Sequence, residues 1–251
     1  MQVYFTLLRR ELGSHFLSLT GYVIISTVLG LVGFSIMDML SKLSGRPMDT
    51  PITEMFYVTT YFWIILLLTT PVITMRTFAQ EKFTGTFETL MTAPVSDLEV
   101  VLAKFSAGLL FFLSAWAPVA GYMIFLHRYT NLAAVPLQPS VIASTYLGLA
   151  LIGSLFIAVG CFASSLTRSQ LIASAVSYGI GLTLFLLSMR SLVPMPMSGW
   201  ESAVFAHLSM SEHLEDFARG IINTSAVTYY VTATGFFLFL TLKVVESRRW
   251  K

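Results

Sequence analysis

The sequence predicts an all-α membrane protein that crosses the bilayer six times. Of its 251 residues, 55% are hydrophobic and only 11% are charged, whereas soluble domains carry about 25% charged residues. The few charges leave long uncharged windows, each long enough for the roughly 20 residues that a helix needs to span the hydrocarbon core. The six predicted spans cover residues 17–37, 55–75, 105–126, 142–164, 170–189 and 224–242.

Helices are favoured over strands because the apolar segments are hydrophobic on every face. A membrane-spanning strand alternates polar and apolar residues over about ten positions, but Trp63–Leu68 and Ile180–Leu187 show no alternation. Lipid supplies no hydrogen-bond partner for backbone amides, and a helix satisfies them internally. The first apolar run lacks a signal-peptide cleavage site, so we interpret it as an uncleaved span.

Basic residues indicate the orientation of the bundle. Six spans place both termini on the same side of the membrane. If that side is the cytoplasm, the inner segments carry ten Lys and Arg residues and the outer segments carry five. Because basic residues near span ends favour the cytoplasmic side, both termini are predicted to be cytoplasmic. We call that end of the bundle its inner end.

Two amphipathic segments accompany the spans. In residues 2–15, the charged Arg9, Arg10 and Glu11 cluster away from the apolar positions, which is typical of a helix lying on the inner membrane surface. A simple extension of the first span is the alternative. Residues 203–222 form a second amphipathic stretch, predicted to lie on or partly in the outer membrane face; docking of a partner protein is the alternative there.

Residues 76–104, between the second and third spans, form the longest inner segment and the most polar part of the chain. Gly85 offers a turn, residues 86–92 can form two turns of helix, and Pro94 then interrupts that helix. Ser96 and Glu99 then match a capping box, which predicts that a new helix begins there and continues into the third span. We therefore predict a short helix held by tight turns beneath the membrane, with an ordinary solvated loop as the alternative.

The sequence contains none of the common catalytic motifs. It has no P-loop, no His-Glu-x-x-His pair and no Gly-x-Ser-x-Gly elbow, so we predict no catalytic residue, no metal site and no cofactor. The predicted spans carry no ionisable residue near their middle, which disfavours an ion-driven carrier. The net charge of +2 gives no reason to expect a nucleic-acid partner. Any energy that the protein uses is therefore expected to come from another subunit.

Two runs of the sequence carry a resemblance to a known family. Residues 78–105 read FAQEKFTGTFETLMTAPVSDLEVVLAKF. This run resembles the loop of type-2 ABC exporter permeases, in which a Glu-Lys pair precedes a Gly-Thr-x-Glu-x-Leu segment and a Pro-Val turn. Residues 211–250 read SEHLEDFARGIINTSAVTYYVTATGFFLFLTLKVVESRRW. They resemble the branch of that family linked to gliding motility and to maturation of nitrous oxide reductase, except that three charges usual after Gly220 are missing.

The resemblance implies a permease subunit of an ATP-driven exporter, multi-pass in the bacterial inner (cytoplasmic) membrane. It implies pairing with a second permease subunit, in a homo- or heterodimer, and docking on a separate ATPase subunit at the cytoplasmic face. By position, the docking or coupling residues would be Glu81, Gly85, Thr86, Glu88, Leu90 and Pro94. The alternative for Glu81 and Glu88 is a solvated carboxylate that pairs with Lys82 or with nothing. The alternative for the whole protein is transmission of ATPase motion to an extracytoplasmic partner, without solute transport.

Small residues recur in the fifth predicted span. Ala173, Ser177 and Gly181 lie four positions apart, a spacing that lets helices approach closely. Their contact could lie within the subunit or across a dimer. The uncharged spans do not indicate which substrate would be moved.

Overall fold

The computed structural model describes residues 2–43, 52–57, 59–87, 95–129, 138–189, 199 and 207–247. Ten α-helices can be delimited within these residues, which contain no strand. In chain order they are α1 (Gln2–Phe16), α2 (Leu19–Leu43), α3 (Ile52–Tyr57), α4 (Thr60–Thr74), α5 (Ala79–Thr84), α6 (Asp97–Tyr129), α7 (Pro139–Leu166), α8 (Gln170–Ser188), α9 (Met210–Ala218) and α10 (Thr224–Glu246).

The six predicted spans are confirmed, with shifted ends. The helices long and apolar enough to cross a membrane are α2, α4 continued through α5, α6, α7, α8 and α10. α7 begins at Pro139 rather than at residue 142, because proline is tolerated in the first turn of a helix, where its missing N–H has no helical partner. The second span is divided, since α3 forms a separate helix ahead of α4.

The predicted capping box is confirmed at the start of α6. Glu99 N donates to Ser96 Oγ at 3.3 Å, and Ser96 Oγ donates to the Glu99 carboxylate at 3.0 Å. α6 has 33 residues and is about 50 Å long at 1.5 Å per residue, so it extends beyond a hydrocarbon core of about 30 Å. Residues 97–104, expected in the inner segment, therefore belong to the third-span helix.

The centre of the bundle is formed by α4 and α7. In each, 72% of the residues in the apolar window are buried, against 22% in α8 and α10. The rings of Phe62 on α4 and Trp116 on α6 lie with centroids 5.2 Å apart, and both side chains are fully buried. α8 and α10 therefore leave most of their surface to lipid or to another subunit.

α1 is a separate helix and not an extension of the first span. The chain turns at Leu17 and Ser18 before α2 begins. α1 packs on the inner part of α6, where the Tyr4 hydroxyl donates to Ser106 Oγ at 2.9 Å. Phe5, in contrast, is 60% exposed. α1 thus has one side against the bundle and an exposed apolar residue on the other, as expected of an amphipathic helix beneath a membrane.

The outer helix α9 turns its apolar face into the protein. Met210, Leu214 and Phe217 are at most 2% exposed, although this face was expected to contact the outer membrane surface. α7 makes the contact possible because it carries Gly148: a Cβ atom there would lie 2.8 Å from side-chain carbons of Phe217. α9 is therefore part of the bundle's own packing, whereas Ile221 and Ile222, beyond it in the same segment, are exposed.

Replacing Gly148 with alanine tests this packing. The added methyl group has to displace Phe217, and we expect a loss of about 1–3 kcal/mol in stability, as is usual when a packed site is overfilled. The measurement is denaturant unfolding of the detergent-solubilised protein. Gly235→Ala on α10 is the matched control, because no atom lies within 4 Å of its added Cβ. Equal stability of the two variants would contradict the assigned contact.

Candidate functional site

Three helices that are distant in the chain meet at one group of charges at the inner end. The Lys104 ammonium of α6 donates to Glu81 Oε1 of α5 at 2.8 Å and to Glu11 Oε1 of α1 at 3.1 Å. Arg10 Nη2 donates to the same two oxygens, at 2.7 Å for Glu11 and 3.3 Å for Glu81. We call Arg10, Glu11, Glu81 and Lys104 the inner charge cluster.

Burial makes the pairing within the inner charge cluster necessary. The Lys104 side chain is only 2% exposed, and a buried charge is tolerated only when it is paired and hydrogen-bonded. Burial by itself raises the pKa of the Glu11 carboxyl, but the charges and hydrogen bonds of Lys104 and Arg10 outweigh it and hold that pKa below its ordinary value. The hydrogen bonds of the inner charge cluster therefore tie α1, α5 and α6 to one another.

α5 is also attached to the inner end of α7. A turn separates α4 from α5. There the Ser164 hydroxyl accepts hydrogen bonds from the backbone N–H groups of Phe78 and Ala79, both at 3.0 Å, and donates to Met75 O at 3.2 Å. Backbone groups at helix ends lack hydrogen-bond partners within the helix. Here the Ser164 hydroxyl is their partner. Lys82 donates to the carbonyl oxygen of Ser165. Lys82 is therefore bound to α7, and Glu81 pairs with Lys104 rather than with Lys82, the partner named in the alternative interpretation.

A left-handed glycine ends α5. Gly85 has φ of +77°, a conformation that side chains other than glycine rarely adopt. On either side of it, the hydroxyl groups of Thr84 and Thr86 lie 2.9 Å apart and share a hydrogen bond. The predicted turn at Gly85 is confirmed. Of the six predicted coupling residues, Glu81, Gly85 and Thr86 are thus placed next to one another, at the end of α5.

The other three predicted coupling residues, Glu88, Leu90 and Pro94, lie outside the described residues, as does most of the short helix predicted over residues 86–92. Glu81 is not the solvated carboxylate of the alternative interpretation, because its Oε1 atom belongs to the inner charge cluster. Thr86 and Gly85 are exposed. The arrangement therefore presents an exposed turn whose base is fixed to three helices of the bundle.

The small residues of α8 face the inside of the subunit. Ala173 and Ser177 are 1% and 3% exposed. A Cβ atom on Gly181 would lie 3.2 Å from the Phe156 ring on α7 and 3.6 Å from Leu67 on α4. These small residues therefore pack α8 onto α4 and α7 of the same chain.

The outer end is closed by a second set of polar contacts. Ser144 Oγ of α7 donates to Phe217 O of α9 at 2.8 Å. The Arg219 guanidinium, just past α9, donates to both oxygens of Glu54, at 2.9 and 2.8 Å, and also pairs with Glu215. α7 is therefore bonded to α5 at the inner end and to α9 at the outer end.

The helical bundle agrees with the result of a comparison with family models. A model described as "ABC-2 family transporter protein" matches residues 43–245, which is most of the chain, from the end of α2 to the end of α10. The chain belongs to the ABC-2 family of transporter proteins. A search of curated proteins found no significant match. The permease is therefore a membrane-spanning component of an ABC transporter, and α1 with most of α2 precedes the matched region.

The inner charge cluster of the permease was missed by sequence reasoning. In the sequence, Lys104 and Arg10 are basic residues that indicate orientation, and Arg10 and Glu11 belong to the polar face of α1. Lys104 lies 93 residues from Glu11 and 23 from Glu81, so no local pattern connects them. The one available signal was the isolated lysine between Ala103 and Phe105 at the entrance to an apolar span.

Replacing Lys104 with methionine tests the cluster. The change keeps the length of the side chain but leaves two largely buried carboxylates facing each other, and we expect a loss of about 3 kcal/mol, as for a broken buried ion pair. The measurement is denaturant unfolding of the permease in detergent. Lys243→Met is the matched control: this lysine is 55% exposed and pairs with Glu246, and exposed pairs contribute at most about 1 kcal/mol. If the two variants lose the same stability, the cluster does not hold the inner end together.

Proposed function

We propose that the permease is one of two membrane subunits of an exporter that a separate ATPase drives from the cytoplasmic face of the bacterial inner membrane. Membership of the ABC-2 family and the predicted cytoplasmic position of the inner end support this. The ATPase docks on the segment that begins at α5 and ends before α6, and the second subunit, identical or different, packs on exposed faces of the spans.

The observation that carries this proposal is the attachment of α5. This short helix is bonded to α1 and α6 through Glu81, and to α7 through Lys82 and the backbone contacts of Ser164. A displacement of α5 is therefore passed to two spanning helices and to the helix at the inner surface. A solvated loop without such bonds would move without moving the spans.

The six coupling residues have different roles in this proposal. Gly85 turns the chain beyond α5 and Thr86 continues it, while Pro94 limits the docking segment on its other side. Glu88 pairs with a basic residue of the ATPase, and Leu90 enters an apolar cleft on it. Glu81 is engaged inside the permease, so its role is to pass the movement on to Lys104 and Arg10.

Glu88→Lys tests the docking assignment. Placing a like charge against a basic partner residue costs several kcal/mol, so we expect the ATPase that co-purifies with tagged permease to fall at least about tenfold, which corresponds to 1.4 kcal/mol. Deletion of residues 85–94 should have the same effect. In both variants, membrane insertion and the amount of permease should stay unchanged.

Glu212→Lys is the matched control for this charge reversal. Glu212 is an exposed carboxylate on α9, at the opposite end of the bundle, and this variant should retain the ATPase. Full retention of the ATPase and of its coupled activity in the Glu88 variant would show that the docking assignment is wrong.

A second candidate function uses the same bundle to move an outer partner protein and no solute. The connections of α7 favour it, because this one helix is bonded to α5 by Ser164 and to α9 by Ser144. Movement at the inner end would thus reach the outer helix. The resemblance of residues 211–250 to the branch linked to gliding motility and nitrous oxide reductase maturation supports the same proposal.

Photo-crosslinking from position 212 distinguishes the two functions. A transmission role predicts a covalent adduct with an extracytoplasmic protein when a photoreactive residue replaces the exposed Glu212. An export pore needs no protein there and predicts no adduct. The same residue introduced at Arg168, in the turn between α7 and α8 at the inner end, controls for non-specific capture.

A further inference from the structure

A cavity of about 770 Å³ opens beside the inner charge cluster. Its volume lies within the range of about 300–1,000 Å³ typical of small-molecule sites. Apolar side chains line one part of it: Ile24, Val72 and Ile73. The polar lining comes from α1, α5, α6, the start of α2 and the segment after α4, and it includes Arg10, Glu11, His15, Arg76, Glu81 and Lys104.

Arg76 brings unused hydrogen-bond donors to this cavity. Its Nη1 atom donates to Thr20 Oγ1 at 2.7 Å, whereas its Nε atom is buried and has no partner within the described residues. None of the ion pairs formed in the described part of the chain includes Arg76. Buried polar atoms are normally hydrogen-bonded to protein, water or ligand. A planar guanidinium with open donors suits a phosphate group.

Glu81 brings an unused acceptor to the same cavity. Its Oε1 atom is bonded to Lys104 and Arg10, but its Oε2 atom is buried and has no partner among the described residues. A ligand that satisfies both residues must carry an anionic oxygen for Arg76 and a hydroxyl or ammonium donor for Glu81. A simple anion such as inorganic phosphate at neutral pH meets the first requirement far better than the second.

The charges of the lining favour an anion overall. Three cations, Arg10, Arg76 and Lys104, face two carboxylates, Glu11 and Glu81. Burial, with the nearby cations Lys104 and Arg76, lowers the pKa of the His15 imidazole, so this side chain adds no charge near neutral pH. One positive charge is therefore left without a counter-charge inside the cavity.

The cavity lies at a corner of the bundle that faces lipid. Between α1 and the second turn of α2, cavity-lining residues alternate with exposed large apolar ones. The exposed residues are Leu17, Leu19, Tyr22 and Val23, with exposed fractions of 82%, 81%, 60% and 56%. Exposed apolar residues next to a spanning helix suit acyl chains, and the charged cavity beside them lies where head groups are expected.

We propose that this cavity binds the head group of a phospholipid from the inner leaflet. Arg76 holds the phosphodiester, and Glu81 Oε2 accepts a hydrogen bond from a hydroxyl or ammonium group at the end of the head group. Phosphatidylglycerol fits best, because it carries one negative charge and hydroxyl donors. Phosphatidylethanolamine satisfies both residues but has no net charge, so the extra positive charge of the cavity stays without a counter-charge. Phosphatidylcholine has no hydrogen-bond donor for Glu81. This site requires neither ATP-driven transport nor an outer partner.

The test measures lipid binding to the full-length permease in detergent by native mass spectrometry. Phosphatidylglycerol, phosphatidylethanolamine, phosphatidylcholine and inorganic phosphate are added back in turn to delipidated protein. We expect affinity to decrease in that order for the three lipids, with inorganic phosphate weakest. Arg76→Gln should weaken phosphatidylglycerol binding at least about tenfold, since it removes charge-assisted hydrogen bonds to the phosphodiester. Arg76→Lys keeps the charge but not the planar guanidinium. Its affinity for phosphatidylglycerol should lie between that of the unchanged permease and that of Arg76→Gln.

Arg168→Gln is the matched control, because it removes an exposed arginine at the same inner end. It should change phosphatidylglycerol affinity less than twofold. Equal weakening by both arginine variants would overturn the site, as would phosphatidylcholine binding as tightly as phosphatidylglycerol. Inorganic phosphate competing fully with the lipid would overturn the lipid assignment and leave a free-phosphate site. If no lipid binds and Arg76→Gln instead weakens binding of the ATPase subunit, the cavity takes a side chain of that protein and the proposal fails.

Discussion

The Lys104 ammonium group is almost completely out of contact with solvent, near the inner end of the third spanning helix. A cation in this position costs several kcal/mol unless carboxylates surround it, and Glu11 and Glu81 provide them at hydrogen-bond distance. Neither carboxylate lies near Lys104 in the sequence, so both helices that carry them must come to α6. The arrangement of the whole inner end follows from this requirement, including the position from which the predicted docking segment begins.

α7 connects that inner end with the outer one. Its hydroxyl side chains supply hydrogen-bond partners to backbone groups of other helices, with Ser164 at the α4–α5 break and Ser144 at the C-terminal end of α9. In a membrane, backbone groups that leave a helix need such partners because lipid offers none. The same bonds that satisfy these groups make α7 a continuous link between the two ends, and this link is what a transport cycle or a transmitted movement would use.

Glu81 takes part both in the proposed coupling to the ATPase and in the proposed lipid site. One of its oxygens belongs to the inner charge cluster, and the other is buried without a partner among the described residues, on a side chain that lines the cavity in which we place a lipid head group. A head group bound at Arg76 and Glu81 would therefore restrain α5 directly. This gives the surrounding leaflet a physical route to the docking segment, since both act through the same carboxylate.

The sequence by itself determined the features that depend on hydropathy or on neighbours a few residues apart: the six spans, the capping box of Ser96 and Glu99, and the turn at Gly85. It did not reveal that Glu11 and Glu81 pair with Lys104, or that α7 packs on the apolar face of α9. A carboxylate such as Glu81 has the same local pattern whether it is solvated or buried beside a distant lysine. Likewise, the need for a glycine at position 148 is evident only from the packing of Phe217 against it. Only the tertiary structure decided these points, because each depends on side chains that lie far apart in the chain.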